Sequence, residues 1–69
     1  MGAADEAQYM AGYNAGRTAC LRSGTTLDAH RWLQMHQRGL PVAFVAGYEW
    51  ALLDYADANG LPEPLAGAS

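Results

Sequence analysis

Tyr9-Met10-Ala11-Gly12-Tyr13 and Phe44-Val45-Ala46-Gly47-Tyr48 are two copies of one short segment, 35 positions apart in a chain of 69 residues. In each copy a further small residue, Gly16 or Ala51, follows three positions after the tyrosine. In an α-helix this spacing places the two aromatic rings one turn apart on one face, with the small residues beside them. Glycine inside a helix costs about 1 kcal/mol relative to alanine, so the repeat predicts close contact with another helix backbone.

An all-α fold is predicted, with helices over about 5–22, 26–38 and 41–58. Ser23-Gly24 ends the first helix, and Asn59-Gly60 ends the third. We expect Gly39 to terminate the second helix in a left-handed conformation. Pro41 should open the third helix, because its missing N–H would have no partner at the first helical position.

The chain is predicted to form one helical domain over residues 1–60, followed by an extended or disordered tail over 61–69, which is rich in Pro, Gly and Ala. Because the connections are short, consecutive helices should run antiparallel, so the first and third helices should be parallel neighbours. The small-residue strips that would then meet are Gly12/Gly16/Cys20 and Ala43/Gly47/Ala51.

A helical wheel assigns one apolar face to each helix. On the first helix the predicted face is Tyr9, Met10, Tyr13, Cys20 and Leu21, and Ala15 points away from it. On the second helix the face is Ala29, Trp32, Leu33, Met35 and His36, and on the third it is Phe44, Val45, Tyr48, Leu52 and Tyr55. Trp50 and Leu53 lie on the other side of the third helix, about 200° from the centre of its apolar face. One core therefore cannot easily bury both of these faces of the third helix. The alternative is that the third helix is central and is buried on two sides.

Charge and composition exclude several classes of protein. The net charge is −3, with seven acids against four arginines, whereas a nucleic-acid-binding protein normally carries a basic patch. A helix-turn-helix would need its second member in the major groove, and here that helix would bring Glu49, Asp54 and Asp57 to the phosphates. The single Cys20, the lack of a membrane-spanning run and the acidic first residues together predict a cytoplasmic protein.

Catalytic and metal sites are not indicated. His30 and His36 are six residues apart, about 240° around a helix, so they cannot share one ion. Cys20 could join only His36, and we interpret Cys20 as a small buried residue and His36 as a substantially buried, neutral histidine bonded to a backbone carbonyl. No nucleophile stands in a recognisable motif and no phosphate-binding loop is present. We therefore expect no enzyme activity, cofactor, metal or small-molecule substrate.

One family resemblance rests on short motifs. Gly12-Tyr13-Asn14-Ala15-Gly16 resembles the Gly-Tyr-x-Ala-Gly start of ribosome modulation factor and related small proteins. Arg31-Trp32-Leu33 and Gly47-Tyr48-x-x-Ala51 are similar to that family's Trp-Leu and Gly-Trp-x-x-Ala elements. The resemblance implies a ribosome-associated protein, although the chain lacks the family's strong basic charge and its Cys-Pro pair.

The function expected from the sequence is non-catalytic binding of another protein, with homodimerisation as a further possibility. The more specific expectation is a small acidic, phage-encoded inhibitor or regulator of a host protein, for example of a defence system. The alternatives are a ribosome-associated factor and a structural homo-oligomer subunit. An apolar centre with a charged rim is the anatomy of an interface, and the predicted protein-binding residues are Ala46, Glu49, Trp50, Leu53, Asp54 and Asp57.

Overall fold

The computed structural model describes residues 2–62, which form three α-helices and one short 3₁₀ helix. The helices are α1 (Ala3–Ser23), α2 (Leu27–His36) and α3 (Val42–Ala58), and the 3₁₀ helix is Gln37–Gly39. No strand occurs among these residues, so the predicted all-α class is confirmed. Of the predicted tail, Leu61 and Pro62 have no regular secondary structure, and residues 63–69 lie outside the described part.

Two glycines end α1 and α3 where the sequence predicted. Gly24 has a φ of 73°, and its N–H donates to the carbonyl oxygen of Cys20 at 2.8 Å. Gly60 has a φ of 66°, and the N–H of Leu61 donates back to Ala56 at 2.8 Å. Only glycine adopts this left-handed conformation without steric cost, so each residue stops its helix and provides a partner for a terminal carbonyl.

The predicted left-handed termination at Gly39 is wrong. α2 ends at His36, the 3₁₀ helix carries the chain to Gly39, and only Gly24 and Gly60 have positive φ in the described range. Leu40 is already extended, with φ −106° and ψ 147°, because a residue before proline is disfavoured in the helical region. Pro41 therefore precedes α3 as its cap, one position earlier than predicted.

The central contact of the fold is a reciprocal one between the two repeated segments. A Cβ atom on Gly12 would overlap the carbonyl oxygen of Phe44, and a Cβ atom on Gly47 would overlap the carbonyl oxygen of Tyr9. The Cα hydrogen that takes the place of each Cβ therefore points at the opposite carbonyl, as in weak Cα–H···O contacts. The predicted close contact of these glycines with the backbone of another helix is confirmed.

Further along the pair, Gly16 meets the same helix. A Cβ at Gly16 would lie 2.9 Å from the carbonyl oxygen of Tyr48 and 3.0 Å from the Cβ of Ala51. The contacts advance in the same direction on both helices, so α1 and α3 run parallel, as predicted. Because Gly12 relates to Phe44 as Gly47 relates to Tyr9, the pair has a local pseudo-twofold symmetry.

α2 completes the core on one side of this pair. The buried cluster combines Cys20, Ala29, Leu33, Tyr48 and Leu52 from all three helices, and Ala15 and Ala19 pack against it. The predicted face of α1 is thus partly wrong: Met10 and Leu21 are exposed, whereas Ala15 faces the core. The backbone contacts at Gly12 and Gly16 set the rotation of α1, and the larger side chains at 10 and 21 are turned outward.

The face of α2 is also narrower than predicted. Ala29 and Leu33 are buried, but Met35 is 73% exposed. His36 is exposed as well, so its predicted burial is wrong. Its Nδ1 does lie 2.8 Å from the Trp32 carbonyl oxygen, as expected for a histidine bonded to the backbone.

Four rings form a column across α2 and α3. The Trp32 ring stacks on His36 with centroids 4.5 Å apart and on Tyr48 at 5.3 Å, and Phe44 follows Tyr48 at 6.2 Å. Trp32 thereby links the buried Tyr48 to the exposed His36. Aromatic pairs at these separations add about 0.5–1.5 kcal/mol beyond the area they bury, and the Trp32–Tyr48 pair is the one that joins α2 to α3.

We expect Gly12→Ala and Gly47→Ala to destabilise the protein by similar amounts, about 1–3 kcal/mol each, because both push the helices apart. The two costs should match, since each new methyl group meets a carbonyl in a pseudo-symmetric setting. Gly39→Ala is the control, because nothing lies within 4 Å of its Cβ position. Urea unfolding measures all three, and an unaffected Gly12→Ala variant would contradict the close contact.

Candidate protein-binding face

α3 is packed on two sides and uncovered on a third. Gly47 and Ala51 face α1, and Tyr48 and Leu52 belong to the core shared with α2. Side chains three or four positions apart share one face of a helix. The remaining face, here called the outer stripe, consists of Val42, Ala46, Glu49, Trp50, Leu53 and Asp57.

Apolar side chains dominate the outer stripe. Trp50 is 53% exposed and Val42 is 86% exposed, while Leu53 is half-buried between them and the end of the helix. Ala46 is exposed, and the acids at the edges are the half-buried Glu49 and the exposed Asp57. Trp50 therefore lies outside the core. Five of the six predicted binding residues are brought together on one helix face.

Asp54, the sixth predicted residue, has a different position. Its Oδ2 accepts a hydrogen bond of 2.8 Å from the hydroxyl group of Tyr13. The two residues also line a hollow of about 380 Å³ between α1 and α3, together with Arg17. Asp54 thus sits on the flank of the stripe, where it ties the two parallel helices together.

Val42 is the member of the stripe that the sequence reasoning missed. Its spacing was the available signal, because Val42, Ala46 and Trp50 follow one another at intervals of four residues. Val42 is the first residue of α3, immediately after Pro41. With Val42 included, the stripe runs along nearly the whole of α3.

A second concave surface lies between α1 and α2. This groove has a volume of about 810 Å³, and its lining includes the rings of Trp32 and Tyr48. Arg22 and Asp28 lie in the same lining. The groove is open to solvent, and the hydroxyl groups of Thr18 and Ser23 belong to its lining as well.

Cys20 behaves as a structural residue. It is fully buried, and this burial raises the pKa of its thiol. A protonated thiol is a poor nucleophile and a poor metal ligand. Within residues 2–62, no group of three His, Cys, Asp or Glu side chains is arranged to hold a metal ion. None of the described helices combines the length and apolar character required to cross a bilayer.

The Tyr13–Asp54 bond gives a pH dependence that can be tested. The hydrogen bond to the Asp54 carboxylate raises the pKa of Tyr13 above its usual value of 10.0, because it favours the phenol over the phenolate. The stability that this bond contributes is present below pH 10 and is lost as the pH rises through the folded-state pKa. We expect Asp54→Asn to lower the pKa of Tyr13, measured by ultraviolet titration of the tyrosines. Tyr48, whose pKa is raised by its own burial, is the internal control and should not change.

Comparison with known proteins adds no functional assignment to this face. No family model matches the chain, and no curated protein or solved structure is significantly similar to it. The short-motif resemblance to ribosome modulation factor stays a hypothesis.

Proposed function

We propose that this protein is a non-catalytic binding module that docks another protein on the outer stripe of α3. The observation that carries the proposal is the position of Trp50, which is 53% exposed at the centre of the stripe. Val42 and Leu53 extend the apolar surface on either side of it. None of these three side chains belongs to the buried cluster that holds the helices together.

The energetics favour a binding role for such a surface. Large apolar side chains left in water gain free energy when a partner covers them, about 25 cal/mol for each Å² of apolar area. Tryptophan is among the residues that most often dominate binding energy. Because α3 is held on two sides by α1 and α2, the stripe is rigid before binding, and little entropy is lost when a partner docks.

The charges of α3 restrict the kind of partner. Glu49, Asp54 and Asp57 are acidic, and α3 carries no basic residue. A partner with a basic rim around an apolar pocket would complement this surface. The more specific form of the proposal is that this protein is a phage-encoded inhibitor or regulator and that its partner is a host protein with such a basic rim. Ribosomal RNA binding, the alternative from the motif resemblance, would instead need a basic surface.

The variant Trp50→Ala/Leu53→Ser tests the proposal. It removes the apolar centre of the stripe and leaves the small-residue contacts of α1 and α3 intact. We expect a folded protein by circular dichroism that binds its protein partner at least about tenfold more weakly, the size of effect typical of a lost anchor. Binding is measured by pull-down from nuclease-treated lysate of the source cells, followed by titration of the captured partner.

Met10→Ala/Leu21→Ser is the matched control. It removes two large apolar side chains that are also exposed, but from α1 rather than from the stripe. This control should bind like the parent protein. If Trp50→Ala/Leu53→Ser unfolds, Trp50 contributes to the core and the proposal fails. Unchanged partner binding by the folded variant would equally refute it.

A further inference from the structure

α2 carries an uncovered face of its own. Leu27, Arg31 and Met35 follow at intervals of four residues and therefore share one side of the helix. Leu27 is 67% exposed and Met35 is 73% exposed. The face opposite to the buried Ala29 and Leu33, here called the outer face of α2, consists of Leu27, Arg31, Gln34 and Met35. The exposed Arg38 follows it in the 3₁₀ helix.

The outer face of α2 and the outer stripe of α3 carry opposite charges. Arg31 is the charged member of the outer face of α2, and Arg38 of the 3₁₀ helix adds a second positive charge at its end. Glu49 and Asp57 are the charged members of the outer stripe. Asp28, the one acid of α2, lines the groove between α1 and α2 together with Arg22. Each surface combines large exposed apolar side chains with charged side chains of one sign, which is positive on the outer face of α2 and negative on the outer stripe of α3.

We infer that the partner of the outer stripe is a second copy of this chain, which docks through the outer face of its α2. This inference rests on the proposed binding function of the stripe and names its occupant. Trp50 and Leu53 of one copy would pack against Met35 and Leu27 of the next. Arg31 of α2 and Arg38 of the following 3₁₀ helix would then supply the positive charges that face the carboxylates of Glu49 and Asp57.

Charge decides the geometry of the assembly. A twofold dimer made by two outer stripes would place acids against acids, and one made by two outer faces of α2 would place arginines against arginines; both are unfavourable. Only the contact between unlike surfaces brings opposite charges together. Such a heterologous contact leaves one free surface at each end, so the copies add head to tail beyond the dimer.

The size of the contact sets its strength. α2 has ten residues and is therefore about 15 Å long, so it fits within the length of the outer stripe. One short helix on one longer helix buries less than a standard protein interface, and association should be weak and reversible. It should also weaken as salt screens the rim charges.

Sedimentation velocity and light scattering on the full chain test this inference. With the parent protein we expect a mean mass that rises with concentration past that of a dimer. The association constant should fall by about tenfold between about 0.05 M and about 0.5 M NaCl. Two variants each disable one surface: Arg31→Glu/Met35→Ser on α2, and Trp50→Ala/Leu53→Ser on α3. Arg17→Glu/Leu21→Ser repeats the α2 changes at the same spacing on α1 and should assemble like the parent.

Mixing the two variants distinguishes the possible geometries. Each variant alone should be monomeric, because it retains only one of the two surfaces. An equimolar mixture should form a one-to-one heterodimer and nothing larger, since a single complete contact remains. If either variant alone still dimerises, the contact is a twofold one and the head-to-tail inference is wrong.

A further outcome separates this inference from the proposed function. A parent protein that stays monomeric up to millimolar concentration overturns self-assembly. If the monomeric parent instead binds a different protein, and Trp50→Ala/Leu53→Ser abolishes that binding, the proposed binding function stands and only the identity of the partner is wrong. If no association of either kind depends on the stripe, both proposals fall.

Discussion

The backbone contact between α1 and α3 at Gly12 and Gly47 is the constraint on which the rest of the structure depends. Each glycine brings its Cα against a carbonyl oxygen of the other helix, which any side chain would prevent. Once the two helices meet in this way, their rotation and direction are set. The residues that face the core, and those that face solvent, follow from this rotation.

The pseudo-twofold symmetry of the pair explains why α2 covers only one of its two sides. The repeat offset relates Ala15 to Trp50, Ala19 to Asp54 and Leu52 to Arg17. On the covered side, Ala15, Ala19 and Leu52 form the apolar surface on which Ala29 and Leu33 of α2 pack. The equivalent positions on the other side hold a bulky indole and two charged groups. A helix packs on the first side, whereas the second is held by the Tyr13–Asp54 hydrogen bond and leaves Trp50 in solvent.

The same arrangement separates structural residues from residues available for binding. Cys20 and Tyr48 are buried in the core, where they contribute packing and stacking. The outer stripe of α3 and the outer face of α2 carry much of the exposed large apolar area, namely Leu27, Met35, Val42 and Trp50. A chain this small has little core to spare, so apolar side chains left outside it are available for contacts with a partner.

The sequence by itself determined the helix number, two of the helix ends, the parallel pairing of α1 and α3, and the exclusion of Trp50 from the apolar face. These features depend on local rules: helical spacing, the left-handed preference of Gly24 and Gly60, and the closeness that only small residues permit. The tertiary structure decided what local rules cannot reach. Met10 and Leu21 are exposed although they are large and apolar, and His36 is exposed although it follows Trp32 by one turn. A helical wheel weighs side-chain hydrophobicity, whereas the rotation of α1 is set by backbone-to-backbone contact with α3, and His36 is the last residue of α2.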